Sequence, residues 1–423
     1  MGMIGASGGC APSAPGPLAD SRSLPRPEGW PDPLAMADGR PVRSAKDWLT
    51  ERRPELIRLF QHYMYGYLPP PPARLEATVD RVLPDAQAGQ ATLKEVTITP
   101  GPGSDLRIRL LLVLPRRTPG PVGVLLGLNF CGNHGVIDDP RVAITDRWVP
   151  ERCPGAKDHR ATPEGRGQSA TSWAHDAWAW KAALDRGYAV ATFYHGDIRP
   201  DRPDPAAGTP PEFLKPGQTS PESTDCGTLA AWAWGLQRAV DYLLTDPAID
   251  RRRVAVFGHS RNGKAALLAG ALDERIALVI AHQSGCGGAA PSRTHNPKAE
   301  TLRAINDQFP HWFDAEFKAF SEDPTRLPFD QHELVALCAP RPVLFTNAEE
   351  DEWANPAGQF EVLQQADPVY RLLGVRGVDA PELPPPGTLS RGRLGYFIRP
   401  GAHSVTLQDW AAFLEFMDVH FRG

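Results

Sequence analysis

No CxxC pair occurs anywhere in the 423-residue chain, and no histidine cluster has the spacing of zinc ligands. A structural metal is therefore not expected, nor is an organic cofactor. The six cysteines, Cys10, Cys131, Cys153, Cys226, Cys286 and Cys338, allow one or two disulfides in an exported protein, with no pairing assignable. Polybasic runs are missing as well. The 45 Lys and Arg against 50 Asp and Glu leave a net charge of −5, which argues against nucleic acid as a partner. No apolar run reaches membrane-spanning length. Met1 to about Pro33 is rich in Gly, Ser, Ala and Pro and lacks the charged-then-apolar layout of a signal peptide. Ser7-Gly-Gly-Cys10 resembles a lipoprotein cleavage site without its upstream part, and a flexible leader explains the same residues equally well. What the chain has in abundance is 45 prolines and 39 glycines with 11 tryptophans interspersed, a composition of long, shaped loops rather than disorder.

The most informative stretch is Val254-Ala-Val-Phe-Gly-His-Ser-Arg-Asn-Gly-Lys-Ala-Ala-Leu267. Its apolar opening predicts a buried strand, and its Ala/Leu-rich end predicts a helix. Between them Ser260 lies close to Gly258 and Gly263, the layout of a nucleophile elbow, in which glycines permit the sharp turn that lifts the hydroxyl above the sheet. The helix would aim its first amides at an anion forming beside Ser260. Gly-His-Ser-Arg-Asn-Gly-Lys also resembles the Gly-Cys/His-Ser-Arg-x-Gly-Lys signature of the glucuronoyl esterases, carbohydrate esterase family fifteen, and further matches run from about Trp48 to His403.

Along the chain, residues 1–40 are expected as a leader or linker, and 41–423 as a single catalytic domain. Helix-spaced Trp48, Leu56, Ile57, Phe60, Tyr63 and Met64 predict a helix within Ser44–Tyr67. Ala91–Thr99 and Leu106–Leu114 alternate around Pro100-Gly-Pro-Gly103, as in a hairpin. Val122–Leu128 is a fully apolar strand leading into Asn129-Phe-Cys-Gly-Asn-His134, a loop expected to give a backbone amide to an oxyanion hole. A helix is expected to begin around Gly165–Ser169 and Trp173 and to end near Gly187, followed by a strand at Tyr188–Tyr194. Asp197 in the next loop is expected to fix that loop, since its position before the nucleophile does not suit a triad acid. Leu229–Leu244 predicts an amphipathic helix. Strand–helix alternation from 122 to 283 argues for a mostly parallel sheet with helices on both faces. The expected fold is an α/β-hydrolase three-layer αβα sandwich with antiparallel strands at its N-terminal edge.

A serine hydroxyl needs a base, and in hydrolases of this type the order is Ser, acid, His. His403, in Pro400-Gly-Ala-His403 after the last apolar strand and before a closing helix at Thr406–Val419, is placed to be that base. The acid should follow the strand Pro342–Thr346, where Glu349, Glu350, Asp351 and Glu352 compete. Asp351 is favoured over Glu352 because it resembles the acid of the family's Asp-x-Trp-Ala-Asp/Asn-Pro motif. In many members of the family a second site, directly before Ser-Gly-x-Gly-Gly, carries a catalytic Glu; here that position is Gln283, which offers no charge, and the acid role moves to the 349–352 loop.

The resemblance further implies that Arg261 donates to the oxyanion and that Lys264, Glu300, Gln308 and Trp353 hold sugar hydroxyls. It implies hydrolysis of (4-O-methyl-)glucuronic acid esters, as in lignin–glucuronoxylan cross-links, by a secreted or periplasmic monomer. Two other functions fit the same residues: a deacetylase of acetyl-xylan or another carbohydrate, and a non-catalytic carbohydrate-binding protein on a hydrolase fold.

Overall fold

The structure is a computed structural model that describes residues 18–26, 28–116, 118–168, 178–203, 210–214, 218 and 221–422. Its strands are Glu76–Asp85 (β1), Ala91–Thr99 (β2), Ile108–Pro115 (β3), Val122–Asn129 (β4), Ala189–Tyr194 (β5), Ile249–His259 (β6), Leu278–His282 (β7), Val343–Ala348 (β8) and Leu394–Arg399 (β9). Among the described residues they form one sheet in the order β1-β2-β3-β5-β4-β6-β7-β8-β9. β1, β2 and β3 pair antiparallel, and β3 joins β5 antiparallel. From β5 to β9 every pairing is parallel. This is the α/β-hydrolase architecture expected from the sequence.

The helices that position the site are Arg53–Phe60 (α1), Trp180–Asp185 (α2), Thr228–Leu243 (α3), Arg261–Leu272 (α4), Leu302–Gln308 (α5), Pro356–Leu372 (α6) and Leu407–Arg422 (α7). The parallel strands are mostly apolar where both of their faces are covered, as in residues 254–257 of β6, whereas residues 250–253 at its start are not buried. Leu56, Leu236, Leu267 and Leu363 of α1, α3, α4 and α6 pack with Val124, Val256 and Phe345 in one core. Leu184 of α2 and Trp410 and Phe413 of α7 pack with Leu125, Phe257 and Leu344 in the other. Alternate residues of one strand thus serve opposite layers. Phe257, whose ring lies 5.0 Å from that of Trp178 and 5.3 Å from that of Trp410, ties the second layer to the elbow strand. Its replacement by alanine is expected to cost about 3–5 kcal/mol.

The first expected helix runs from Ala45 to Tyr65, with α1 flanked by π-helical turns at Trp48–Arg52 and Gln61–Tyr65. Ser44 caps it by accepting from the Asp47 amide at 3.1 Å. It stops at Gly66, where φ is +80° and a Cβ would sit 2.2 Å from the Asp225 carbonyl. Residues 18–26 and 28–40, expected within the leader, lie against the domain. The Tyr63 hydroxyl donates to the Ala19 carbonyl at 2.7 Å, Arg326 donates to the Ser21 carbonyl at 2.6 Å, and Leu24, Trp30 and Leu34 pack on the core.

One strand carries no pattern in the sequence, and one expected helix falls largely outside the described residues. β1 went unread because its residues are mostly exposed, Val79 and Val82 included, so no apolar face marks it; it is a charged edge strand. Gly165 itself closes a short 3-10 turn at Pro163–Gly165, Gln168 is helical, and α2 runs from Trp180 to Asp185. Ser169 and Trp173 lie outside the described residues. Among the described residues, no helix is long and apolar enough to cross a membrane.

Candidate active site

β6 delivers Ser260 to the C-terminal edge of the sheet, and α4 starts at the next residue. Ser260 has φ 57° and ψ −124°, a conformation that costs a non-glycine residue about 1–3 kcal/mol and persists only where the surroundings enforce it. Here the enforcement is visible. The Ser260 amide donates to the His282 carbonyl at 2.9 Å on the neighbouring strand. A Cβ at Gly258 would lie 2.1 Å from the Asn262 carbonyl oxygen, and one at Gly263 2.8 Å from that of Gly258. Asn262 is fully buried; its amide nitrogen donates to the Leu128 carbonyl at 3.2 Å, and its oxygen lies 3.0 Å from His195 Nδ1. The elbow is thereby tied to the ends of β4 and β5.

His403 follows β9, and Asp351 follows β8. Asp351 Oδ2 lies 2.6 Å from His403 Nδ1, with the carboxylate buried and the imidazole about one-third exposed. Glu352 is turned away: it pairs with Lys298 at 2.9 Å on the surface. Glu349 and Glu350 are also exposed. The imidazole of His403 lies 4.5 Å, centroid to centroid, from that of His259, the residue before Ser260. Gln283 reaches a neighbour of each of these two residues, His259 before Ser260 and Ser404 after His403. Its Oε1 accepts from the Ser404 amide at 2.9 Å and lies 3.1 Å from His259 Nε2.

Arg261, first residue of α4, pairs with Asp201 and lies with its guanidinium 4.7 Å from the ring of Trp312 and 5.1 Å from that of Phe309. Those two rings stack on each other at 3.8 Å. Asp201 also accepts from Trp312 Nε1 at 2.8 Å, sits 3.0 Å from His311 Nε2 and has Arg152 at 3.8 Å. Burial alone would raise the Asp201 carboxyl, but the His311 hydrogen bond and the Arg261 charge outweigh it and hold the group well below the usual carboxylate range. Asp201 is the site residue that sequence reasoning passed over. The signal available was its place in Gly196-Asp-Ile-Arg-Pro-Asp201, at the end of a loop following β5.

Lys264 is buried, and its ammonium donates to the carbonyls of Ser284 and, at 2.6 Å, Cys286. Burial holds its pKa down, while the neighbouring Glu300 pulls it back up. Burial raises the Glu300 carboxyl, against the Lys264 charge and a hydrogen bond with Trp353. Both groups converge on Gly285: a Cβ there would lie 3.6 Å from Glu300 Oε2 and 3.7 Å from Lys264 Nζ. Trp353 is about half exposed, and its carbonyl accepts from the Glu300 amide at 3.0 Å. Gln308 stands apart from this group. It is exposed at the end of α5, next in sequence to the Phe309 that packs on Arg261.

A disulfide joins Cys131, just past β4, to Cys153, beside Arg152. Cys226, Cys286 and Cys338 are buried thiols. Asp197 is buried too; its Oδ2 accepts from the Arg109 amide at 2.9 Å, and burial pushes its carboxyl up to about 7. Among the described residues no group of three or more His, Cys, Asp or Glu is placed to hold a metal.

Residues 170–374 match a family model described as glucuronyl esterase, fungi. A prokaryotic carbohydrate esterase, MZ0003, is 46% identical over 395 residues, covering 93% of this chain and 90% of that protein. Among solved structures, a promiscuous CE15 esterase from a marine bacterial metagenome superposes with a TM-score of 0.86 at 45% identity, covering 95% of this chain and 99% of the other. The glucuronoyl esterase from Solibacter usitatus gives 0.84 at 38% identity, covering 95% and 100%. Identity at this level, sustained through nearly the whole of each chain, means that this chain belongs to the glucuronoyl esterases, carbohydrate esterase family fifteen, a family of carboxylic-ester hydrolases.

Proposed function

We propose that the protein hydrolyses esters of (4-O-methyl-)glucuronic acid, such as those joining lignin to glucuronoxylan, through Ser260, His403 and Asp351. The observation that carries this reading is the 2.6 Å contact between Asp351 and His403 on the sheet edge where Ser260 is held in its elbow. With Nδ1 engaged by Asp351, His403 Nε2 takes the Ser260 proton as Oγ attacks the ester carbonyl. The oxyanion is held by backbone amides at the start of α4 and after β4, and by Arg261. The imidazolium returns its proton to the departing alcohol. Water, deprotonated in turn by His403, then cleaves the glucuronoyl-enzyme and frees Ser260. Lys264, Glu300, Trp353 and Gln308 bind the sugar hydroxyls; the convergence of the first two on Gly285 supports a shared contact, whereas Gln308 rests on the sequence resemblance alone. The Cys131–Cys153 disulfide supports a secreted or periplasmic location, as such bonds persist in oxidising compartments.

The test is hydrolysis of benzyl glucuronate against aryl acetate by wild type, Ser260→Ala and Lys264→Met. Glucuronate hydrolysis that disappears with Ser260→Ala, and a loss in Lys264→Met confined mainly to the glucuronate ester, are the expected results. Substantial turnover by purified Ser260→Ala would defeat the reading. A broader ester range, acetyl esters included, is a second reading, favoured by the Lys264 ammonium already bonding two main-chain carbonyls. Equal losses on both esters in Lys264→Met would support it.

A further inference from the structure

Gln283 occupies an unusual place for a neutral side chain. It follows β7 with φ 46°, in the left-handed region, and its amide donates to the Thr346 carbonyl at 2.8 Å on β8. Its side chain is buried between the elbow and the base loop. The Oε1 atom accepts the Ser404 N–H at 2.9 Å, which fixes the amide orientation, since a flipped side chain would point its NH2 at that N–H. Oε1 can only accept, so His259, at 3.1 Å, must carry its proton on Nε2. One oxygen thus settles both the tautomer of His259 and the position of the peptide directly after His403.

The neighbouring contacts point the same way. The Ser404 carbonyl lies 2.9 Å from His282 Nε2 and accepts from Arg399 at 2.6 Å, so both sides of this residue are clamped. Arg399 is itself held by Asp409 at 2.8 Å. The His259 ring lies between those of His403 and His282, at 4.5 and 5.1 Å.

We propose that Gln283 is a positioning residue for the hydrolytic reaction: together with His259 it forms an uncharged strut from the residue before the nucleophile to the residue after the base, and this strut sets the approach of His403 to Ser260. The proposal rests on the Ser260–His403–Asp351 reading. In it, Gln283 touches neither substrate nor reacting atoms. Its amide supplies an acceptor without a second carboxylate beside the base, leaving Asp351 as the partner charge of the imidazolium.

The experiment uses the full chain and benzyl glucuronate. Gln283→Met keeps the bulk and removes the acceptor, whereas Gln283→Glu keeps an accepting oxygen. The measurements are kcat, KM, the rate of inactivation by a fluorophosphonate probe, and thermal unfolding. A displacement of reacting groups by a fraction of an ångström to one ångström costs up to about 100-fold. Gln283→Met is therefore expected to lose about 10–100-fold in both kcat and inactivation rate with KM changed less than about 2-fold, while Gln283→Glu keeps at least about a third of the wild-type kcat. His259→Phe tests the strut from its other end and does not depend on a folded Gln283→Met: it keeps a flat ring against His403 but gives Gln283 no donor, and should lose about 5-fold in kcat. Wild-type kcat and labelling in folded Gln283→Met, equal losses in its Met and Glu variants, or an unchanged kcat in His259→Phe would each overturn the strut. A wild type that fluorophosphonate does not label would remove the triad and the strut with it. A labelled wild type beside an unaffected Gln283→Met removes the strut alone.

Discussion

Replacing Asp351 by asparagine tests the electrostatics of the site with almost no change of shape. In the wild type a carboxylate oxygen sits 2.6 Å from His403 Nδ1, on a buried side chain. In the proposed attack the imidazole becomes an imidazolium, whose charge centre would lie about 4 Å from that of the carboxylate. At the effective dielectric of about 20 appropriate to such pairs, the attraction is about 4 kcal/mol. At 1.36 kcal/mol per decade, losing it slows the chemical step about 10³-fold. An amide also favours the wrong tautomer of His403 if its NH2 faces Nδ1, which extends the expected range to about 10⁴. KM should change little, because the charge being stabilised exists only in the transition state. Steady-state kinetics on benzyl glucuronate reads this directly, with thermal unfolding as the check on folding. Glu352→Gln is the control: its surface pair with Lys298 is of a kind worth at most about 1 kcal/mol, and kcat should stay within about 2-fold. An Asp351→Asn enzyme within 10-fold of wild type, or a larger loss in Glu352→Gln, would refute the assignment.

Further perturbations follow from the same structure. Arg261→Ala should lower kcat by about 10²–10³ with a smaller rise in KM; an effect chiefly on KM would make Arg261 a ground-state contact. Asp197 binds its proton more tightly when folded, with its carboxyl near 7 rather than 3.8, so wild-type stability should fall as pH rises from about 4 through 7. Asp197→Asn should therefore raise Tm at pH 8 and leave it nearly unchanged at pH 4; a constant difference across that range would show that burial does not perturb this carboxyl. Closing a 22-residue separation by Cys131–Cys153 is worth about 3 kcal/mol in chain entropy, so Cys131→Ser/Cys153→Ser should lose about that much in urea unfolding. A loss below about 1 kcal/mol would mean that the loop is held by its other contacts.

The sequence made the elbow legible because its signal is local: Gly258, Ser260 and Gly263 lie within six residues, between a strand pattern and a helix pattern. His403 was readable from the order of elements alone, as the histidine after the last strand. The choice of Asp351 over Glu352 came from a motif, and the geometry of side chains after β8 favours the same residue. What stayed hidden depends on approach in three dimensions. Asp201 and Arg261 are 60 residues apart and meet because β5 and β6 flank β4 in the sheet. Gln283 could be seen to lack a charge, but not to reach Ser404, 121 residues onward. β1 carries no amphipathic pattern, and its pairing with β2 is made by main-chain groups, to which side-chain periodicity gives no clue.

The packing around Arg261 has a consequence for the response of the enzyme to salt. The Arg261–Asp201 pair is only 18% and 2% exposed, with the Arg261 guanidinium packed against the stacked rings of Phe309 and Trp312. Dissolved ions weaken the attraction between open partners such as Arg40 and Asp38, 58% and 57% exposed, because at about 1 M the screening length shrinks to about 3 Å. A pair that is largely buried is screened much less. The orientation of the cation beside Ser260 is therefore less sensitive to salinity than are the protein's open surface pairs.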